Sequence, residues 1–452
     1  MEPPELEKNI GIRIYGTETD GIGGHVRTVP EDFLVQEVLT SGEIADIDPA
    51  IPEAVGGTGD FLLCTLAKKG YDTFSALRKL SRALQVSSKK ISAGGLKDAN
   101  ALTAQYVTVM GVEASHLACV NVVGMKIAPT RFVDAPISAK SLRGNRFNIK
   151  IRDIQLDHKK LDNTIGDFVG EINALGGVPN FYGHQRFGTI RPITHIVGRH
   201  IVKREFEQAV VRYLTDPSFF ESPASRNAKD DFLNERNAKK SLALYPRNLT
   251  YERLMLQHLA KNEGDYLGAL KKLPLRLARL FVNAFQSFLF NEFLSERSLG
   301  RLPLNEACEG DYYVDLDPSG LPLGKAKKVE LGNIASANQD INKGRSALAL
   351  PVVGYAGELS GGNEGEIEQK ILEREGVTPR TFYVGPFHEA SSSAKYRTAL
   401  VRIENLDARM ERNKGTPEGS SVTLRFFLPK ESYATIVLRE LMKPTDIIKA
   451  KF

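Results

Sequence analysis

Gly94-Gly95-Leu96-Lys97-Asp98, with Gln105-Tyr106-Val107-Thr108-Val109 close behind, is the stretch around which the fold can be built. Two glycines let the backbone turn where a Cβ would clash, and the second run alternates with strand period in β-favouring residues. Asp98 is thereby predicted in a loop that feeds a strand. Loops held on a rigid sheet often carry catalytic carboxylates, although a Gly-x-x-Asp turn more commonly uses its carboxylate to close the turn. Alone, the segment reads as a turn. The rest of the chain makes Asp98 the candidate nucleophile.

Working outward, residues 32–38 read as a strand leaving the turn at Pro30, and residues 61–66 as a second strand. Phe74, Leu77, Leu80 and Leu84 recur at helical spacing with Asp72 or Thr73 as N-cap, giving a strand, helix, loop, strand unit around Asp98. Phe147, Ile149 and Ile151 alternate with Asn148, Lys150 and Arg152, so one face is buried and the other basic. That alternation predicts a half-covered, largely antiparallel sheet. Residues 422–428 form a strand stopped by Pro429, followed by a helix over 433–442, and are expected to rejoin the first sheet. Between these ends helices dominate, the longest over 276–297 with Leu280, Ala284, Phe288 and Phe281, Phe285, Leu289 on adjoining faces. Residues 354–365 are a glycine-rich connector before a short helix at 366–375. The fold class is α+β.

The 452 residues are too many for one ordinary core and predict two or three domains. With 42% hydrophobic and 25% charged residues the composition is globular, and no stretch approaches the roughly 20 apolar residues of a membrane span. The first residues, Met1-Glu2-Pro3-Pro4-Glu5-Leu6-Glu7, are acidic, unlike a secretion signal, so a cytoplasmic protein is expected. Cys64, Cys119 and Cys308 lack any Cys-x-x-Cys spacing and read as buried thiols rather than disulfides or a zinc site.

A formal charge of +5 is modest, but the basic residues cluster. Arg131, Lys140, Arg143, Arg146, Lys150 and Arg152 face only Asp134 within residues 131–152, which suits a phosphate-facing surface or, more plainly, a solvated strand face. Lysine pairs at 68–69, 89–90, 239–240 and 271–272 could line a groove.

Several familiar motifs fail on spacing. Gly320-Leu321-Pro322-Leu323-Gly324-Lys325-Ala326 is one residue short of a phosphate loop and lacks its Ser or Thr, so a turn is expected. Gly21-Ile22-Gly23-Gly24 follows no strand and is no dinucleotide fingerprint. His195 and His200, five apart, fall on different helical faces without a third ligand, and metal chemistry is not expected. By contrast, Val178-Pro179-Asn180-Phe181-Tyr182-Gly183-His184-Gln185-Arg186-Phe187-Gly188 packs aromatics, amides and an arginine between glycines. Aromatic faces stack on bases while amides and guanidinium read edges and phosphates, so a base-binding pocket is favoured over an aromatic corner of a core.

Taken together these segments resemble the TruD-type tRNA pseudouridine synthases, including archaeal members. The resemblance spans nearly the whole chain. It rests on Pro30-Glu31-Asp32-Phe33, Gly95-Leu96-Lys97-Asp98 with Thr103 and Gln105, and residues 140–147 with Gly144-Asn145. It extends through Pro179-Asn180-Phe181-Tyr182-Gly183, Gln185-Arg186-Phe187-Gly188, residues 283–291 and Leu428-Pro429-Lys430 with Ser432-Tyr433-Ala434-Thr435 and Leu438-Arg439-Glu440.

The resemblance implies an isomerase, acting as an intramolecular transferase, that converts uridine to pseudouridine in tRNA, typically at position 13. It implies no cofactor and no metal. It implies a catalytic domain with a mixed, largely antiparallel sheet from residues 1–186 and 397–452, and an inserted α/β domain over 187–396. Asp98 takes the place of the family's catalytic aspartate. Arg27 takes that of a basic residue facing it, lysine in some relatives; Tyr182 that of an aromatic ring stacked on the target base; Asn180 that of a group bonding the uracil edge or the Asp98 loop. Lys97, Arg143 and Arg186 are expected to touch RNA backbone or pocket. The partner is tRNA, with no membrane involved and oligomeric state left open. The alternative is a non-catalytic tRNA-binding or chaperone protein on the same scaffold. A nucleobase hydrolase or deaminase lacks a zinc signature.

Overall fold

A computed structural model describes residues 1–117, 120–411 and 420–452. The alternating segments of the first 154 residues form β1 Phe33–Leu39, β2 Gly56–Gly57, β3 Phe61–Lys69, β4 Ile91–Ala93, β5 Leu102–Met110, β6 Met125–Val133 and β7 Leu142–Ile154. Further along come β8 Val178–Pro179, β9 Tyr312–Leu316, β10 Pro322–Lys328, β11 Ser346–Val352, β12 Lys395–Thr398, β13 Leu400–Val401, β14 Glu404–Glu411 and β15 Ser420–Pro429.

Among the described residues the larger sheet runs β14-β15-β7-β1-β5-β3-β6-β2, with β4 added to β5. Its pairings are antiparallel except β1 with β5 and β2 with β6, which agrees with the alternating pattern of its strands. The C-terminal strand does rejoin the first sheet: β15 lies against β7 with Phe426 opposite Phe147 and Leu424 opposite Ile149. Phe147, Ile149 and Ile151 are buried as their period required.

Behind β3 and β5 lies the helix Thr73–Ala83, whose N-cap is Asp72, its carboxylate accepting the Ser75 N–H at 3.0 Å. Leu80 is fully buried from this helix with Leu62, Leu66, Val107 and Val109, whereas Phe74 is exposed. The C-terminal helix Ala434–Met442 is buried along its whole length. Inside it Arg439 donates to both oxygens of Glu7 at 3.0 Å and pairs with Glu440, fastening the two ends of the chain.

The middle of the chain is helical from Thr194–Val202 through the 25-residue helix Leu275–Leu299. Phe281, Phe285 and Leu289 are buried as expected, while Leu280 reaches solvent. A Cβ on Gly198 would fall 1.9 Å from the Phe281 carbonyl oxygen, so glycine is what lets the helix Thr194–Val202 cross the long helix at close range. A second sheet, ordered β10-β9-β11-β12, is antiparallel throughout, and the helix Gly362–Glu375 begins earlier than its sequence pattern suggested. The segment with the look of a phosphate loop begins in the β9–β10 turn, closed by Gly320 N–H on Asp317 O at 2.8 Å with Gly320 at φ +77°, and from Pro322 onward it is strand β10 rather than turn. Cys64 is a buried thiol and Cys308 is partly exposed; Cys119 lies outside the described residues.

Candidate active site

Asp98 sits in the connection from β4 to β5, and polar contacts pin that connection from several sides. The Lys97 N–H donates to Thr73 Oγ1 at 2.8 Å, and the Lys68 ammonium donates to the carbonyls of Tyr71, Lys97 and Asp98 at 2.6, 3.3 and 3.0 Å. Beneath the loop Glu37, fully buried, takes the Lys97 ammonium at 2.5 Å and the Tyr106 N–H at 2.9 Å. Gly95 leaves room for this pair, since a Cβ there would lie 2.9 Å from Glu37 Oε1. Burial pushes the Lys68 ammonium down to about 8 against the opposing pull of Asp98.

The backbone is thus held while the Asp98 carboxylate stays 45% exposed. Its Oδ1 accepts the Asn100 N–H at 3.2 Å, the turn-closing contact of such a loop, and its Oδ2 stands 3.7 Å from Arg27 Nη2. Arg27 is largely buried, with φ +56°, a left-handed conformation uncommon outside glycine. That backbone brings its guanidinium over the Phe33 ring at 4.3 Å, while Nη1 donates to the Lys451 carbonyl at 3.4 Å. Burial lowers the Arg27 pKa and the Asp98 charge pulls it back up.

A second group of residues lines a cavity of about 640 Å³. It is lined on one side by Arg143, Asn180, Tyr182, Arg397 and Lys430, and also by residues 304–305, 316–322, 341–342 and 346–348. Asn291 receives the Tyr182 N–H at 2.8 Å and returns its amide to the Tyr182 carbonyl at 3.1 Å. The Tyr182 ring is edge-on to Phe290 and Tyr433, with Arg397 over it at 4.2 Å. Only 4% of Tyr182 is exposed. Asp98 and Arg27 do not line this cavity; the groups are linked through one apolar cluster that holds Phe33, Phe147, Phe426 and Tyr182.

A family model described as tRNA pseudouridine synthase D (TruD) matches residues 9–441. The chain belongs to the TruD family. A "Probable tRNA pseudouridine synthase D" of Methanosarcina mazei is 37% identical over 444 residues, covering 98% of both chains. A protein of the same description from Archaeoglobus fulgidus is 34% identical over 439 residues, covering 97% of this chain and 99% of that one. A crystal structure assigned to TruD from Methanosarcina mazei superposes with a TM-score of 0.84 at 36% identity, over 98% of this chain and 99% of that one. The α+β architecture is therefore that of a TruD protein.

In this TruD chain the structure brings Asp98 to Arg27 and Asn180 to Tyr182. The side chain of Lys97 goes elsewhere: it is 8% exposed and tied to Glu37, so it holds the loop from below and offers no free cation to RNA. Arg143 lines the cavity with its guanidinium bound to both oxygens of Glu404 at 2.8 and 2.7 Å. Arg186 donates to Ser287 at 3.2 Å and lies 5.7 Å from the Tyr182 ring centre. In the basic stretch 131–152 four of the six cations are paired, Arg143 with Glu404 among them, while Lys140 and Arg146 are exposed. Arg131 pairs with Glu43, Lys150 with Glu411 and Arg152 with Asp32, acids supplied by β14 and by the segments flanking β1, which counting within the window could not reveal.

Reading the sequence alone missed Lys68, Glu37 and Arg397. Lys68 stood in a lysine pair, but its interior direction follows from strand register: opposite Thr103 it shares the face of β3 and β5 that carries the Asp98 loop. Arg397 carried no signal beyond its place in a short strand.

Proposed function

We propose that this chain isomerises uridine to pseudouridine in tRNA, at position 13, with Asp98 as the catalytic residue. The observation that carries the reading is the pairing of an immobilised loop with an open carboxylate that faces a buried arginine across 3.7 Å. A turn-forming aspartate needs neither the three carbonyl contacts from Lys68 nor a cation brought to it by a left-handed arginine backbone.

The reaction breaks the N1–C1′ bond, turns the detached uracil and joins C5 to C1′. A carboxylate can serve by attacking C1′ or by taking a proton from the ribose as the bond cleaves, and among the described residues no donor hydrogen-bonds Asp98 Oδ2. Arg27 supplies the opposite charge. Asn180 and Tyr182 belong to the wall that holds the freed base so that rejoining outruns escape. Residues 1–186 and 397–452 form the catalytic domain, and 187–396 an insertion that closes the cavity from the other side. The work is done in the cytoplasm, on a uridine extruded from its stack at a cost of a few kcal/mol.

Incubation with an unmodified tRNA transcript, followed by pseudouridine mapping at single-nucleotide resolution, tests activity and position together. One new pseudouridine at position 13 is expected. No pseudouridine anywhere would refute the activity, and modification confined to another position would refute the site.

A further inference from the structure

We infer that Arg397 is a positioning residue, which fixes the amide of Asn180 so that this amide presents an N–H, and no acceptor, to the base. The inference rests on Asn180 and Tyr182 forming the wall of the base pocket. Arg397 is 7% exposed and sits at the edge of the second sheet, where β12 pairs with β11. Its Nε donates to the Asn180 carbonyl at 2.8 Å, its Nη2 to Asn180 Oδ1 at 2.6 Å and its Nη1 to the Glu431 carbonyl at 3.0 Å. The same guanidinium lies 4.2 Å over the Tyr182 ring. One side chain therefore sets the backbone and amide of Asn180 and covers the ring two residues on.

The chemistry of these groups leaves a single arrangement. Guanidinium has donors only, so the Asn180 oxygen must turn toward Arg397 and its NH2 away from it. One hydrogen of that NH2 goes to Thr398 Oγ1 at 2.9 Å. Since Nδ2 cannot accept, Thr398 is the acceptor there and its own hydroxyl proton is released for another partner. Asn180 and Thr398 both line the cavity, so two adjacent donors, an amide N–H and a hydroxyl O–H, are available to whatever enters. Donors side by side match one carbonyl oxygen of uracil, whose two lone pairs can accept both. Among the described residues the three acceptors of Arg397 are neutral oxygens, which leaves its charge directed at the ring and the pocket.

The test is a double-substitution cycle on the full-length protein with an unmodified tRNA transcript, measuring kcat and KM, with folding checked by thermal unfolding. Arg397→Met and Asn180→Ala should each lower kcat by about 10²-fold, with KM changed less than about threefold, and the double variant should be no worse than either single. Asn180→Asp keeps the acceptor for Arg397 but removes the donor, so it should be as slow as Asn180→Ala. Arg397→Lys, which keeps charge but cannot reach both oxygens of Asn180, should not restore kcat; it decides the matter where Arg397→Met does not fold.

Full activity in folded Arg397→Lys, multiplicative losses in the double variant, or a raised KM alone would overturn the positioning role. An active Asn180→Asp would overturn the donor assignment. Unimpaired Asn180→Ala and Tyr182→Ala would instead refute the pocket itself, a result separable from failure at Arg397.

Discussion

Arg27 Nη2 stands 3.7 Å from Asp98 Oδ2, within ion-pair range and too far for a hydrogen bond. That separation leaves the carboxylate oxygen available to a substrate while the cation opposes its desolvation. The guanidinium is held in this position by the Phe33 ring beneath it and by the Lys451 carbonyl.

Arg27→Met is therefore expected to lower kcat by about 10²-fold, and Arg27→Lys to recover part of that loss, since lysine restores the charge without the planar contact to Phe33. Steady-state kinetics on a tRNA transcript checks it. Equal activity in wild type and Arg27→Met would remove the cation from the mechanism.

Lys68→Met removes the ammonium that ties two carbonyls of the Asp98 loop to that of Tyr71, and kcat should fall while tRNA affinity is kept. Stability gives an independent readout. The folded pKa of Lys68, about 8, lies below its usual 10.5, so the unfolded chain binds more protons between these values and stability from this group rises with pH across that window. In urea titrations from pH 8 to 10.5 wild type should gain stability relative to Lys68→Met; a constant difference would contradict the assignment.

Glu7 titrates in the opposite region. Burial would raise its pKa, but Arg439 and the contact with His184 outweigh burial and hold it at about 2. Its folded value lies below the unfolded 4.5, so its stabilisation is present above pH 4.5 and is lost as pH falls toward 2. Glu440 in the same cluster is raised by burial and works against this slope, which makes the difference between wild type and Glu7→Gln the informative quantity. Glu7→Gln should cost about 3–5 kcal/mol at neutral pH, and less as the pH is lowered, in urea unfolding. A penalty independent of pH would contradict the account.

How far the sequence reached depended on whether a signal was local. The Asp98 loop was legible because two glycines, an acid and an alternating strand lie within a few residues, and Asp72 announced its helix as an N-cap. Arg27 became a partner of Asp98 only through family resemblance, since nothing in its own neighbourhood marks a left-handed residue aimed at a distant loop. Strand pairing decided the rest. Lys150 and Arg152 looked free because Glu411 and Asp32 arrive from β14 and from the turn before β1, and Lys97 looked like an RNA contact until Glu37 was found beneath it. Arg397 was invisible because its role comes from what Asn180, Tyr182 and Glu431 bring to it.

The central claim is that the Asp98 carboxylate performs the chemistry. Pseudouridine formation by Asp98→Asn, measured in a single turnover with enzyme in excess over an unmodified tRNA transcript and beside a direct measurement of tRNA affinity, tests it. The account predicts no detectable pseudouridine with affinity within a few-fold of wild type, because the amide keeps the shape and loses the charge. Product formation by Asp98→Asn at a rate near that of wild type would contradict it.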